Sequence, residues 1–264
     1  MNPGQPIAIF DSGVGGLSVA KKIREALPQE NILYIADSAH APYGNKSQQY
    51  IVQRSVALVE FMLQQQAKII VVACNTATLS AIKQLRSSFT LPIIGVEPGI
   101  KPASVITQSG VIGVMVTTRT AQLESFHELL QRYSNNLRIE VQPCEGLVEQ
   151  IEQGDLLSLK THNLIASYVE PLLSKGVDVI ALGCTHYPFI MPVIENIVGH
   201  KIKIIETGTA VAKQVVRRMQ EENCLAPDNQ IGQERFYTTG DAAAAEVIMS
   251  DFWGYPVEVL KCSI

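Results

Sequence analysis

The sequence predicts an α/β protein of two similar halves, each a mainly parallel sheet flanked by helices, with the functional site in the cleft between them. Three observations lead there. Short β-branched runs alternate with longer segments of helical period along the chain, the pattern of parallel strands joined by covering helices. The 264 residues are 47% hydrophobic and 17% charged, enough apolar side chain for a large core and too apolar for a disordered chain. Two segments also repeat: VVACNTAT (71–78) and ALGCTHYP (181–188) both run from an apolar strand through a small residue to Cys, then to a hydroxyl or amide residue and a helix start. Each follows its own strand-and-turn unit, IAIFDSG or VIGVMVTT, so that Cys74 lies 63 residues after Asp11 and Cys184 lies 67 after Thr117. The second half is expected to begin near Pro98. Strands after 207 need a sheet to join, which puts residues 1–97 and 207–264 in one domain and 98–206 in the other.

Ten strands are expected, over 7–10, 31–36, 68–73, 91–96, 111–116, 137–142, 177–183, 201–205, 235–239 and 257–260. Between the first two, Leu17, Ala20, Ile23 and Leu27 share one helical face, and Pro28 ends that helix. Ser47 is the expected N-cap of the amphipathic segment 47–66, and Leu123, Phe126, Leu130 and Tyr133 are read as a further helical face.

Composition excludes several classes of function. With 21 basic and 25 acidic residues the formal charge is −4, so no clustered basic surface for nucleic acid is expected. The opening MNPGQP has no basic region, the apolar IAIF stops at Asp11, and no window approaches the roughly 18 apolar residues of a membrane span. Five cysteines without a CxxC form neither a disulfide framework nor a zinc knuckle, and are expected to be free thiols in a cytoplasmic protein.

In open α/β sheets ligands bind beyond the carboxyl ends of the strands, where helix N-termini present unpaired N–H groups. Four polar strand ends qualify and fall on one rim: Asp11-Ser12-Gly13, Cys74-Asn75-Thr76, Thr117-Thr118 and Cys184-Thr185-His186. Such a rim suits a small anion. DSGVGGL (11–17) partly matches a dinucleotide fingerprint, and Asp37 stands where a ribose-binding acid would, but Asp11 sets a negative charge against the pyrophosphate and Ser18 replaces the third glycine.

Cys74 and Cys184 are the sharper signal. A lone cysteine at a strand end is usually a small buried hydrophobe. Two in matched contexts at helix N-termini, with His186 two residues from Cys184, point to acid–base chemistry, because the helix terminus and an imidazole favour thiolate over thiol. Paired thiols across a pocket suit removal of a proton from carbon on one face and delivery to the other. Zinc held by Cys74, Cys184 and His186 is an alternative lacking the usual ligand spacing, so no metal is expected. Pyridoxal chemistry would need a lysine that no rim motif contains, and no cofactor is expected. Cys144, Cys224 and Cys262 lack this context.

DSGVGGL (11–17), ADSAHAPYGNKS (36–47), ACNTAT (73–78), GVEPGIKPA (95–103) and GCTHYPF (183–189) together resemble the bacterial glutamate racemases over nearly the whole chain. The related aspartate racemases share the paired cysteines but usually place Glu where this chain has His186. The resemblance implies cofactor-independent interconversion of L- and D-glutamate, with D-glutamate destined for peptidoglycan, in a homodimer. It implies Cys74 as the base toward D-glutamate and Cys184 toward L-glutamate, with Asp11 assisting Cys74, and His186 and Glu152 assisting Cys184. Ser12, Tyr43, Gly44, Asn75, Thr76, Thr117 and Thr185 would hold the substrate, together with Asp11 and His186. Glu152 could equally be an exposed helix acid, and Asp37 either an auxiliary acid or the head of an Asx turn with Ser38. Glu206 replaces a common Asp and is expected to concern domain packing. Some relatives carry an N-terminal extension tied to activation by a cell-wall precursor. With six residues before the first strand, this chain is expected to lack that regulation. Two other readings stay open: racemisation of aspartate or another amino acid, and a small-acid binding or regulatory protein on this scaffold.

Overall fold

The computed structural model describes residues 2–134 and 137–264. All ten expected strands are present: β1 (Ile7–Asp11), β2 (Ile32–Ala36), β3 (Ile69–Val72), β4 (Ile93–Gly95), β5 (Val111–Val116), β6 (Arg138–Pro143), β7 (Val179–Leu182), β8 (Lys203–Ile205), β9 (Glu234–Thr238) and β10 (Val259–Lys261). The helices are α1 (Leu17–Ala26), α2 (Gln48–Gln64), α3 (Asn75–Ser88), α4 (Ile100–Ile106), α5 (Thr118–Gln122), α6 (Glu124–Gln131), α7 (Leu147–Glu152), α8 (Leu159–Ser174), α9 (Met191–Val198), α10 (Gly208–Glu221) and α11 (Ala242–Trp253). No helix among the described residues is long and apolar enough to cross a membrane.

The strands form two parallel sheets, in the orders β10-β9-β2-β1-β3-β4 and β6-β5-β7-β8. The repeat read in the sequence is visible in these orders. The run β2-β1-β3-β4 and the run β6-β5-β7-β8 are the same topology, with β1 matching β5 and β3 matching β7. In each, the order reverses beside the repeat's first strand, which opens a crevice at the carboxyl ends between β1 and β3 and between β5 and β7. β9 and β10 extend the first sheet beyond β2, so the late strands return to it.

β1, β2, β3 and β7 are buried along their whole length, because helices cover both faces of each sheet. Fully burying a Val, Ile, Leu or Phe side chain contributes about 1.5–3 kcal/mol, so a charged residue at Ile9 or Phe10 would cost more than most single changes. α1 buries Leu17, Val19, Ala20 and Ile23 and stops at the C-cap Leu27, ahead of Pro28. Ser47 caps α2, accepting from Tyr50 N at 3.2 Å. The face expected over 123–133 packs on one core: Leu123 and Phe126 are buried, Leu130 and Tyr133 are partly covered, and Leu129 joins them, although the chain breaks at Leu123 between α5 and α6. Glu206 acts locally, accepting from Gly208 N and Thr209 Oγ1 and thereby serving the free amides at the start of α10.

Candidate active site

Each cysteine stands at its strand end because the neighbouring strand holds the backbone there. Ala73 N donates to Phe10 O at 2.8 Å, and Gly183 N donates to Met115 O at 2.7 Å, so both chains leave their sheets at equivalent points. Cys74 is then the N-cap of α3, its Sγ accepting from Ala77 N at 3.5 Å. Both thiols are buried, and both line one small cavity of about 10 Å³, room for about one water molecule. Ser12, Tyr43, Gly44, Asn75, Thr76, Thr117, Thr185 and His186 line the same cavity, so every expected substrate residue but Asp11 is on its wall. Pro42 and Val148 complete it. Neither was singled out in the sequence, for a proline and an apolar helix residue carry no chemical signal of their own.

Asp11 and Glu152 stand one layer back. Asp11 is fully buried; its Oδ1 accepts from Gly13 N at 2.8 Å and its Oδ2 from Thr185 Oγ1 at 2.9 Å, which ties the two halves together. It meets Cys74 through Ser12, whose Oγ lies 3.8 Å from the sulfur and 3.5 Å from Asp11 Oδ1. Burial raises the Asp11 carboxyl above its ordinary range, against the opposing pull of His186 and the Gly13 amide. Burial, with the Asp11 charge beside it, likewise pushes the Cys74 thiol up, so Cys74 is held protonated.

Cys184 has a different neighbour. Its Sγ lies 3.6 Å from His186 Nδ1, and His186 Nε2 lies 2.5 Å from Glu152 Oε1. Burial opposes charge on this imidazole, yet Cys184 and Glu152 outweigh burial and raise its pKa well above the ordinary value of 6.5. Glu152 also accepts from Val14 N at 2.8 Å, and Tyr34 Oη donates to Gly13 O at 2.7 Å, so the turn after β1 is clamped from both sides. Glycine is required in that turn: a β-carbon on Gly15 would overlap the His186 ring, and one on Gly13 the Glu152 carboxylate. The amides of Gly13 and Val14, which would cradle a pyrophosphate in a dinucleotide fold, are already donated to Asp11 and Glu152.

Asp37 makes neither an Asx turn nor a contact with the cavity. Its carboxylate takes Tyr43 Oη, both Nε and Nη2 of Arg54, and Thr239 Oγ1 at 3.0 Å. With every acceptor direction occupied, it anchors the Tyr43 loop from behind. The five thiols are all free, and Cys144, Cys224 and Cys262 lie outside the cavity.

The twinned α/β scaffold thus sets one buried thiol from each sheet on a shared cavity. The chain belongs to the Asp/Glu/Hydantoin racemase family, whose sequence model matches residues 10–215. Among curated relatives, the glutamate racemase of Stutzerimonas stutzeri (strain A1501) is 46% identical over 250 residues, 94% of either chain. That of Ectopseudomonas mendocina is 46% identical over 262 residues, 98% of this chain and 99% of the relative. A glutamate racemase isoform from Bacillus anthracis superposes with a TM-score of 0.92 at 32% identity, covering 100% of this chain and 99% of that one. The Escherichia coli glutamate racemase, solved with L-glutamate and the activator UDP-MurNAc-ala, gives 0.84 at 30% identity over 97% of both.

Proposed function

We infer that this chain is a glutamate racemase that interconverts L- and D-glutamate with two cysteines, one removing the α-proton and the other delivering a second proton to the opposite face, without a cofactor, and that its D-glutamate supplies peptidoglycan synthesis in the cytoplasm. The observation that carries the mechanism is the opposite setting of two buried thiols on one cavity: Cys74 faces a hydroxyl backed by a carboxylate, Cys184 an imidazolium. Cys184, beside the cation, takes the α-proton of L-glutamate, while Cys74 delivers its S–H proton to the opposite face of the same carbon. The product is D-glutamate, the two sulfurs have exchanged protonation states, and the enzyme stands ready for the reverse reaction. Asp11 serves Cys74 through Ser12, and Glu152 serves Cys184 through His186.

The α-proton is a far weaker acid than a thiol, so the developing carbanion has to be stabilised. The first-turn N–H groups of Asn75 and Thr76 in α3 have no intrahelical partner and serve a substrate carboxylate. Asn75 Oδ1, buried without a partner among the described residues, accepts from the α-ammonium. Ser12, Tyr43, Gly44, Thr117 and Thr185 enclose the remainder. Glutamate has ten heavy atoms and does not enter a cavity of about 10 Å³, so the halves part to admit it and close before proton transfer. We assign residues 1–97 with 207–264 to one moving unit and 98–206 to the other, and we assign the enzyme a homodimeric state.

Incubation with L-glutamate in deuterium oxide, with no added cofactor, tests this reading through optical rotation and α-deuterium content. Formation of α-deuterated D-glutamate is expected. Binding without exchange would leave a small-acid binding protein, and turnover confined to aspartate would move the chain to a neighbouring specificity.

A further inference from the structure

Behind Thr76 and Thr117 lies a third hydroxyl that the sequence reading passed over. Thr120 is fully buried and does not line the cavity. Its Oγ1 lies 3.0 Å from Thr76 Oγ1 and 3.1 Å from Thr117 Oγ1, while those two are 3.0 Å from each other. The three hydroxyls form a closed triangle, and among the described residues they have no other side-chain partner. One main-chain group joins them: Thr120 N donates to Thr117 Oγ1 at 3.2 Å. Thr76 stands on α3 beside the first sheet, whereas Thr117 and Thr120 follow β5 in the second, so the triangle exists only while the halves are together.

Each hydroxyl has one proton to give and can accept in return. With the cavity empty of an anion, the three can donate to one another in a ring. When a carboxylate enters, Thr76 and Thr117 turn both their protons toward it, and their buried oxygens then gain from a donor that is not one of the two. Thr120 supplies both: its hydroxyl donates to Thr76 and its main-chain N–H to Thr117. We propose that Thr120 is a positioning residue that releases the Thr76 and Thr117 hydroxyl protons for a carboxylate of the substrate, coupling recognition of that anion to closure of the two halves. This rests on the glutamate racemase reading above.

The test compares Thr120→Val, which keeps the shape and removes the hydroxyl, with Thr120→Ser, which keeps the hydroxyl. Without the Thr120 proton, the buried Thr76 oxygen keeps, among the described residues, no donor but the Thr117 hydroxyl, and each time Thr117 turns to it the substrate loses one charge-assisted hydrogen bond. Thr120→Val is expected to raise KM for glutamate and the Kd for D-glutamate by about tenfold, with kcat changed less than threefold. Thr120→Ser is expected to stay within about threefold of the unaltered protein in all three. A Thr120→Val protein whose KM and Kd stay within twofold of the unaltered enzyme would overturn the proposal. So would loss of affinity in Thr120→Val and Thr120→Ser alike, which marks a packing role. Calorimetric Kd separates this inference from the one beneath it. If the unaltered protein binds D-glutamate without racemising it, the function reading fails and the affinity comparison still decides Thr120. If it does not bind glutamate at all, both fall.

Discussion

Cys74 and Cys184 occupy equivalent places in two sheets of the same strand order, yet one faces a hydroxyl backed by a carboxylate and the other faces an imidazole held protonated. The backbone supplies the symmetry: each thiol leaves the strand that pairs beside the repeat's first strand, at the same height. The charge is asymmetric because the two carboxylates act through different intermediaries. Asp11 reaches Cys74 through Ser12 and adds negative charge, whereas Glu152 reaches Cys184 through His186, which answers with positive charge. In the mechanism we propose, the duplicated scaffold presents one acid and one base to the two faces of a carbon, while its side chains decide which thiol begins in which role.

Replacing either thiol tests the comparison most severely. Cys74→Ser and Cys184→Ser are each expected to lower racemisation by about a thousandfold, read by polarimetry, because neither thiol substitutes for the other on the opposite face. A single variant retaining full turnover in both directions would end the two-base account. Next comes the turn that belongs to the Cys74 half but is shaped by the Cys184 half. Gly15→Ala drives a β-carbon into the His186 ring, and a displacement of this kind is expected to cost about a hundredfold in kcat/KM. Circular dichroism should show the fold retained.

His186→Asn sharpens the comparison by direction. Removing the cation beside Cys184 alone is expected to lower initial L-to-D rates by about thirtyfold and D-to-L rates less. Equal losses in both directions would mean that the two thiols share one electrostatic environment. The smallest effect concerns pH. His186 has its pKa raised in the folded protein, so the imidazolium and its support of Cys184 persist above the ordinary imidazole range and are lost as pH rises through that raised value. By the same sign, its contribution to stability is fully present below the unfolded value near 6.5 and disappears at higher pH. Glu152→Gln removes an anion that favours the imidazolium, so the high-pH limb of the L-to-D profile is expected to move to lower pH. An unmoved limb would detach Glu152 from the Cys184 side.

Much of this arrangement was legible in the chain. The ten strands could be read because buried parallel strands are written as short apolar runs, and the twin topology because both Cys motifs repeat with their upstream strands. The face of Leu123, Phe126, Leu130 and Tyr133 is legible from its spacing, whereas Leu129, one position off that spacing, is buried beside it only because of what packs there. Asp37 was ambiguous because its partners Arg54 and Thr239 stand 17 and 202 residues away, beyond any local pattern. Thr120 was overlooked for a like reason. The spacing Thr117-x-x-Thr120 is visible, but a buried hydroxyl gains meaning only when Thr76 arrives from the other half.

By itself the sequence determined the local identities: which strands end in a thiol, which residue stands two places after Cys184, and which turn has no side chain to obstruct it. Periodicity, capping and strand propensity act over a few residues, and that information survives in one dimension. The tertiary structure alone decided the pairing: Glu152 against Gly13 and Val14, His186 against Gly15, Asp11 against Thr185, and the triangle of Thr76, Thr117 and Thr120. The electrostatics of a buried site depend on desolvation and on contacts a few ångströms away, and both are set by how the two sheets meet.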